Sequence, residues 1–246
     1  KTCSHHKLVF APLCVSVQRG LSVLGVLLVF WPIQDMARSA SAAAACARRA
    51  LIVIDMAVEQ MANISWRKHD IVTYQRSLLE QNNDTHFFDV IVDCRLWLHS
   101  GHESTLSWVY PEWGTTLGIP GSAGADIIPE LKELLRPDIW IDQEEPFKLP
   151  EKRPFNAFVA KKHYSCFVDT QLKKLLTDAE VSEAYLVGIN TDYCVFDTAL
   201  DCQARGRLPT HVIESGVSTL SGQEAHIAAI DLTRRHLGFD SVVDKV

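Results

Sequence analysis

The sequence predicts an α/β protein: a doubly wound, mainly parallel sheet with helices on both faces. Three observations predict it. From residue 49 onward, short apolar runs bounded by turn residues alternate with segments of helical pattern. The first of these runs, Ala50 to Ile54, is apolar without interruption, as expected of a parallel strand covered on both faces. A chain of 246 residues, 47% hydrophobic and 22% charged, is also long and apolar enough to bury a full core.

Taken in order, Ala50-Leu51-Ile52-Val53-Ile54 reads as a buried first strand, with Asp55 at its carboxyl end. A helix is predicted over 73–81, a second strand over 89–94, a helix over 125–135 and a third strand over 139–141. A helix over 170–176 leads to a strand over 184–187, a helix over 195–205, a strand over 210–214 and a closing helix over 223–236. Alternation of this kind gives a Rossmann-like three-layer arrangement. In such sheets reacting groups collect beyond the carboxyl ends of the strands, so Asp55 and Cys194 can meet although far apart in sequence. The stretch 96–124, rich in Gly, Ser, Pro and Trp, is long for a plain connection and reads as a lid over a pocket.

Residues 1–48 read as an N-terminal extension to a domain spanning 49–246. Lys1, Lys7 and Arg19 are followed by the apolar run 21–33 and a stretch rich in small residues, 37–47, the order of a cleaved targeting segment. The run is short for a bilayer span, so no stable membrane span is expected in the mature domain. Asp35 is the sole acid before Asp55, which suits an organellar transit peptide as well as a secretory signal. Two sequons, Asn63-Ile64-Ser65 and Asn83-Asp84-Thr85, lean toward secretion. Without a targeting segment the domain would be cytoplasmic, and its seven cysteines fit that reading. They are odd in number and lack CxxC spacing, a pattern of reduced thiols rather than a disulfide framework. A net charge of −6 and the absence of a long basic run exclude a nucleic-acid partner held through its phosphates. The expected partner is a small-molecule substrate, and a homo-oligomer is expected.

Chemistry is carried by Gly188-Ile189-Asn190-Thr191-Asp192-Tyr193-Cys194-Val195, which sets a cysteine just past a turn, after an apolar strand and at the start of a helix. Unpaired N–H groups and the helix dipole favour thiolate there. A cysteine without further context is more often inert packing. The octet, however, resembles the active-site signature of the isochorismatase-like cysteine hydrolases, the group that includes nicotinamidases. A second segment, Val159-Ala160-Lys161-Lys162-His163-Tyr164-Ser165-Cys166-Phe167, is similar to that family's lysine motif, in which Lys stands six residues before Phe. That spacing selects Lys161, with Lys162 as the alternative. Gly118-Ile119-Pro120-Gly121-Ser122-Ala123-Gly124-Ala125-Asp126 resembles the family's lid segment. After Asp55 the family's Gln-Asn-Asp-Phe-like continuation is replaced by Met56-Ala57-Val58-Glu59-Gln60-Met61.

The resemblance implies a triad of Asp55, Lys161 and Cys194 that hydrolyses a small amide through a thioester, with Lys161 lowering the pKa of Cys194. It also implies a cis peptide between Ile189 and Asn190, and an oxyanion hole from the N–H groups of Asn190 and Cys194. Asp192 is either a supporting residue or a helix cap. The alternatives are hydrolysis of a vinyl ether, as isochorismatase performs, and a non-catalytic oligomeric scaffold. The first does not need the cysteine, and retention of all three triad residues argues against the second.

No cofactor is expected. Nicotinamidases take a metal on an Asp-Trp-His segment and later histidines, whereas here Leu96 and Leu98 flank Trp97, and Pro111-Glu112-Trp113-Gly114 stands where the last His would be. Asp93, His99 and His102 form the alternative donor set. Trp97 and Trp113 are the candidates to line the substrate pocket, ahead of Trp66 and Trp108. His226 is expected to pack or cap.

Overall fold

The computed structural model describes residues 47–99, 104–109, 111, 116–142 and 145–246. Seven strands, β1 (Arg49–Ile54), β2 (Val90–Leu96), β3 (Ile139–Ile141), β4 (Phe155–Lys161), β5 (Glu183–Ile189), β6 (Thr210–Ser218) and β7 (Val242–Val243), form one sheet. Their order is β3-β4-β2-β1-β5-β6-β7, and every pair is parallel. Among the described residues they are accompanied by α1 (Val58–Ala62), α2 (Lys68–Thr85), α3 (Thr105–Val109), α4 (Pro129–Lys132), α5 (Leu172–Asp178), α6 (Phe196–Asp201) and α7 (Gln223–Leu237).

Strand alternation divides the apolar residues between two cores. Along β1, Leu51 and Val53 face α2 and α4 through Ile71, Leu79 and Leu131, while Ile52 and Ile54 face α5, α6 and α7 through Leu172, Ala199 and Ile230. Because each face is covered, the central strand is apolar at every position, which is why its sequence carries no period of two. On α2 the buried side chains Ile71, Gln75, Leu78, Leu79 and Asn82 fall on one stripe. The two polar members are bonded: Gln75 donates to the Gly216 carbonyl (2.8 Å), and Asn82 both accepts from the Phe88 N–H (2.7 Å) and donates to the Phe88 carbonyl (3.2 Å), fixing the entry to β2.

Four elements escape the sequence reading. β4, interrupted by Asn156, inserts between β2 and β3 and ends on Lys161; α1, α3 and β7 are too short to show a period. The helix expected over 125–135 shrinks to α4, which starts at Pro129, a residue suited to a first helical turn. The helix expected over 195–205 begins earlier, as a wide helical turn over Thr191–Val195 that runs into α6, so Cys194 lies inside the first turn rather than ahead of it. Among the described residues no helix is long and apolar enough to cross a membrane.

The chain leaves β1 toward β2 on one side and returns from β4 to β5 on the other. The crevice at that reversal opens beyond the carboxyl ends of β1 and β5. Gly188, with φ of +122°, makes the close approach there: a Cβ on it would stand 2.1 Å from the Ile54 carbonyl oxygen, immediately before Asp55.

Candidate functional site

Asp55 follows β1 with φ of 56°, a left-handed conformation that aspartate tolerates better than most residues. Its N–H donates to the Cys94 carbonyl (3.0 Å), and its Oδ1 accepts from the Leu96 N–H (3.2 Å), so the carboxyl end of β2 holds the carboxylate in place. Lys161, the last residue of β4, reaches across from beyond β2. Its Nζ stands 2.7 Å from Asp55 Oδ2 and 3.4 Å from Cys194 Sγ, and donates to the carbonyls of His163 (3.0 Å) and Tyr164 (3.2 Å). Asp55 and Lys161 are fully buried, and Cys194 is 6% exposed. Lys162, the alternative, is half-buried and is not part of this cluster.

The turn carrying Cys194 is tied down at several points. The Ile189–Asn190 peptide is cis. The Asn190 carbonyl accepts from Tyr193 (3.2 Å) and Val195 (3.0 Å), and its Oδ1 accepts from the Leu220 N–H (3.0 Å). Thr191 Oγ1 meets His226 Nδ1 at 3.0 Å, and Asp192 accepts from the Thr219 hydroxyl, so its side chain links β6 to the turn. His226 is 2% exposed and lies against the Trp66 ring, with centroids 4.7 Å apart.

Burial is the largest influence on Cys194 and pushes its thiol well above the ordinary cysteine range; Lys161 pulls it down, while Asp55 pushes it up both as a charge and as a hydrogen-bond acceptor. Lys161 acts in the expected direction, but dehydration of the sulfur outweighs it. For Lys161, burial favours the neutral amine, yet Asp55, followed by Cys194 and Cys166, holds the ammonium well above the ordinary lysine range. A buried cation, a carboxylate and a proton-bearing sulfur therefore share one contact, an arrangement able to move the thiol proton to the carboxylate as an electrophile arrives.

Beside them lies a cavity of about 450 Å³ lined by Leu96, Leu117, Leu220, Tyr164, Tyr193, His163, Asn190, Gln60 and Asn63 as well as Lys161 and Cys194. Most of these escape the sequence reading. His163 and Tyr164 belong to the motif that identifies Lys161, and Gln60 to the segment that departs from the family after Asp55, so both signals were present. Gln60 Oε1 is buried and has no hydrogen-bond partner.

Trp97 does not line this cavity. Residues alternate in direction past the end of β2, so Leu96 turns toward Cys194 while Arg95 and Trp97 turn to the opposite face. There the Trp97 ring packs on Trp140 (5.1 Å) and Phe158 (5.3 Å), which corrects its expected place in the substrate pocket. Trp66 and Trp108 are likewise absent from the lining. Trp113 and His102 lie outside the described residues, as does the extension up to residue 46.

The two described members of the alternative donor set have other partners: Asp93 accepts from Arg95 (2.9 Å), and His99 pairs with Asp142 (2.7 Å). Burial pushes Asp93 up to about 6 against the pull of Arg95. Leu96 and Leu98 pack with Leu117 and Tyr164 in an apolar cluster. Two leucines occupy the positions where nicotinamidase-type ligands would stand, and no described group of three or more His, Cys, Asp or Glu could hold a metal ion. The donor set among the described residues does not fit the metal. Cys94, Cys166, Cys194 and Cys202 are all free and buried.

Residues 49–242 match the model of the isochorismatase domain. A curated relative, the isochorismatase family protein PncA of Bacillus subtilis (strain 168), is 28% identical over 121 residues, covering 49% of this chain and 58% of that protein. The chain thus spans less than two thirds of that relative. Among solved structures, the pyrazinamidase/nicotinamidase from Streptococcus mutans UA159 superposes with a TM-score of 0.63 at 24% identity, covering 79% of this chain and 99% of the other. Nicotinamidase PncA from Bacillus subtilis gives 0.63 at 22%, covering 80% and 99%. At these identities the likeness is one of fold, and it agrees with the seven-stranded parallel sheet. With the domain match running from the first residue of β1 to the first of β7, the chain belongs to the isochorismatase domain family.

Proposed function

We propose that the protein is a cysteine-dependent hydrolase that cleaves the C–N bond of a small amide through a thioester. The observation that carries this reading is the placement of Lys161 Nζ, 2.7 Å from Asp55 and 3.4 Å from Cys194, all three buried at one end of a ligand-sized cavity. Asp55 takes the proton from the Cys194 thiol as Sγ attacks the carbonyl carbon. The developing oxyanion accepts from the N–H groups of Asn190 and Cys194. Collapse breaks the C–N bond, and Asp55 returns the proton to the leaving nitrogen, releasing ammonia or an amine. Water, deprotonated by Asp55, then adds to the thioester, and Cys194 leaves with the proton restored. Lys161 remains an ammonium throughout and balances whichever partner carries the negative charge. A metal plays no part in this scheme, because the donor set that would hold one is replaced by leucines. Assembly as a homo-oligomer belongs to the same proposal.

The test is ammonia release from nicotinamide, pyrazinamide, benzamide and a ureido compound. Cys194→Ala should lower turnover by roughly 10³-fold or more wherever the native protein is active. Undiminished turnover by that variant removes the covalent step.

A further inference from the structure

Arg95 and Trp97, turned away from Cys194 at the end of β2, line a second cavity of about 570 Å³, a size usual for a ligand pocket. Its polar centre is Arg95, whose side chain is only 6% exposed. Arg95 Nε donates to Asp93 (2.9 Å) and Nη1 to the Ala125 carbonyl, while the guanidinium carbon lies 5.0 Å from the centre of the Phe158 ring and 5.8 Å from that of Trp97. Nη2 has no hydrogen-bond partner among the described residues and, unlike Asp93 Oδ1, is not sealed from solvent. A guanidinium fixed through two nitrogens and unpaired on the third is a preset donor, at a depth where polar groups are paired in nine cases of ten or more. Around it Lys132 is taken up by Asp126 (2.6 Å), whereas Arg136 and Glu133, both exposed, have no ion-pair partner among the described residues. Three positive groups, Arg95, Lys132 and Arg136, thus face three negative ones, Asp93, Asp126 and Glu133, a balance that suits a monoanion better than a multiply charged phosphate. Trp140 supplies the apolar part. Phe158 stacks on it at 3.8 Å, Trp97 meets it edge-on at 5.1 Å, and its ring is 47% exposed.

From this arrangement we infer that the second cavity is a binding site for a small aromatic carboxylate, held by Arg95 Nη2 at its charged end and by the Trp140 ring at its apolar end. A carboxylate meets a guanidinium through a charge-assisted hydrogen bond, roughly twice as strong as one between neutral groups, so an anion is favoured over a neutral carbonyl. A flat ring set against an indole adds the attraction of offset or edge-on aromatic contact. Arg136 is the second counter-charge, at the exposed rim. The site is separate from the charged cluster: Leu96 faces the cavity of Cys194, and its neighbours Arg95 and Trp97 face this one. The inference therefore stands apart from the amide reading given above.

The experiment titrates benzoate into the full chain by calorimetry, with benzyl alcohol, acetate and inorganic phosphate as comparators. Benzoate should bind about tenfold tighter than benzyl alcohol, as expected of a hydrogen bond to a charged group, and about fivefold tighter than acetate through the ring contact. Trp140→Ala should weaken benzoate about fivefold, and Arg136→Gln about threefold. Both side chains are exposed, so neither change threatens the fold. Asp93→Asn combined with Arg95→Gln removes the buried pair together, stranding no charge, and should abolish the preference for benzoate over benzyl alcohol. Tyr193→Ala alters the cavity beside Cys194 instead and should leave benzoate affinity unchanged. The inference is overturned by any of four results: no binding of benzoate, acetate or phosphate as tight as benzoate, full affinity in both Trp140→Ala and Arg136→Gln, or a loss in Tyr193→Ala as large as in Trp140→Ala.

Discussion

Breaking the Lys161–Asp55 pair tests whether the cluster is held together by charge. At 2.7 Å and an effective dielectric constant of about 20, the attraction is about 6 kcal/mol, and both side chains are fully withdrawn from water. Most of that attraction offsets desolvation, so the pair as a whole contributes little beyond what two apolar residues would, but removing one partner strands the other. Lys161→Met should therefore cost about 3–5 kcal/mol, a large part of the 5–15 kcal/mol typical of a domain. Asp55→Asn should cost less, about 2–3 kcal/mol, because the ammonium keeps the carbonyls of His163 and Tyr164 and asparagine suits the φ of 56°. The double variant buries no charge at this point, and its loss should fall short of the combined single losses by at least about 2 kcal/mol. Urea unfolding at pH 7.5 supplies all four values. The pH dependence adds a sign. The Lys161 pKa is raised in the folded state, so the stability it contributes is complete below its ordinary value of 10.5 and is lost as pH climbs from there through the folded value. The native protein should weaken above that pH more steeply than the double variant. Losses that add to within about 0.5 kcal/mol would refute the reasoning, since independent sites add in that way.

Three further outcomes follow from the geometry. Gly188→Ala drives a Cβ to 2.1 Å from the Ile54 carbonyl at a φ of +122° reserved for glycine, and should destabilise by about 3 kcal/mol or more; a melting temperature within about 1–2 °C of native, roughly what 0.5 kcal/mol moves, would contradict it. Asp55→Asn removes two influences that raise the Cys194 pKa while leaving Lys161, so alkylation by iodoacetamide at pH 7, followed by peptide mass spectrometry, should quicken even as hydrolysis falls by roughly 10²–10⁴; slower alkylation would exclude Asp55 as the group holding the thiol proton. Burial, aided by Arg67, lowers the pKa of His226, so folding favours its neutral form: the stability it contributes is present above the ordinary value of 6.5 and drains away as pH falls through the folded value. His226→Gln should flatten the dependence of melting temperature on pH between 7 and 5, and an unchanged slope would place that loss elsewhere.

How far the sequence could be read depended on whether a signal was local. β1, β2, β5 and β6 announce themselves because strands buried between two layers carry apolar runs bounded by turn residues, and α7 because 15 residues are enough to show a stripe. β4 does not: Asn156 breaks its apolar run, and its partners β2 and β3 are found by crossover rather than by neighbourhood. Lys161 and Cys194 were legible because each sits in a motif of fixed spacing, and Asp55 because it stands at the carboxyl end of the first buried strand. The direction of Trp97 was not, since it depends on the parity with which the chain leaves β2, a property of register that composition does not carry. Nor was the degree to which burial opposes the Lys161 ammonium at Cys194, since dehydration of the sulfur depends on packing from several distant segments.

The two parts of the site rest on different kinds of support, and that difference explains why one tolerates change and the other does not. Asp55, Lys161 and Cys194 hang on three parallel strands whose register is set by two cores, so moving any one of them by an ångström means shifting a strand against packing on both faces. Gln60, Asn63 and Leu117 hang instead on α1, its C-terminal cap and the lid segment, joined to the sheet by a few backbone hydrogen bonds and the Glu59 clamp. Substitutions there alter what lines the cavity without disturbing the ion pair beneath it. Leucines can therefore stand where a metal would be bound while the charged cluster keeps its geometry. On this reasoning variation within the fold should appear first on α1 and the lid, and specificity should be transferable by exchanging those two segments alone while the strand ends are left untouched.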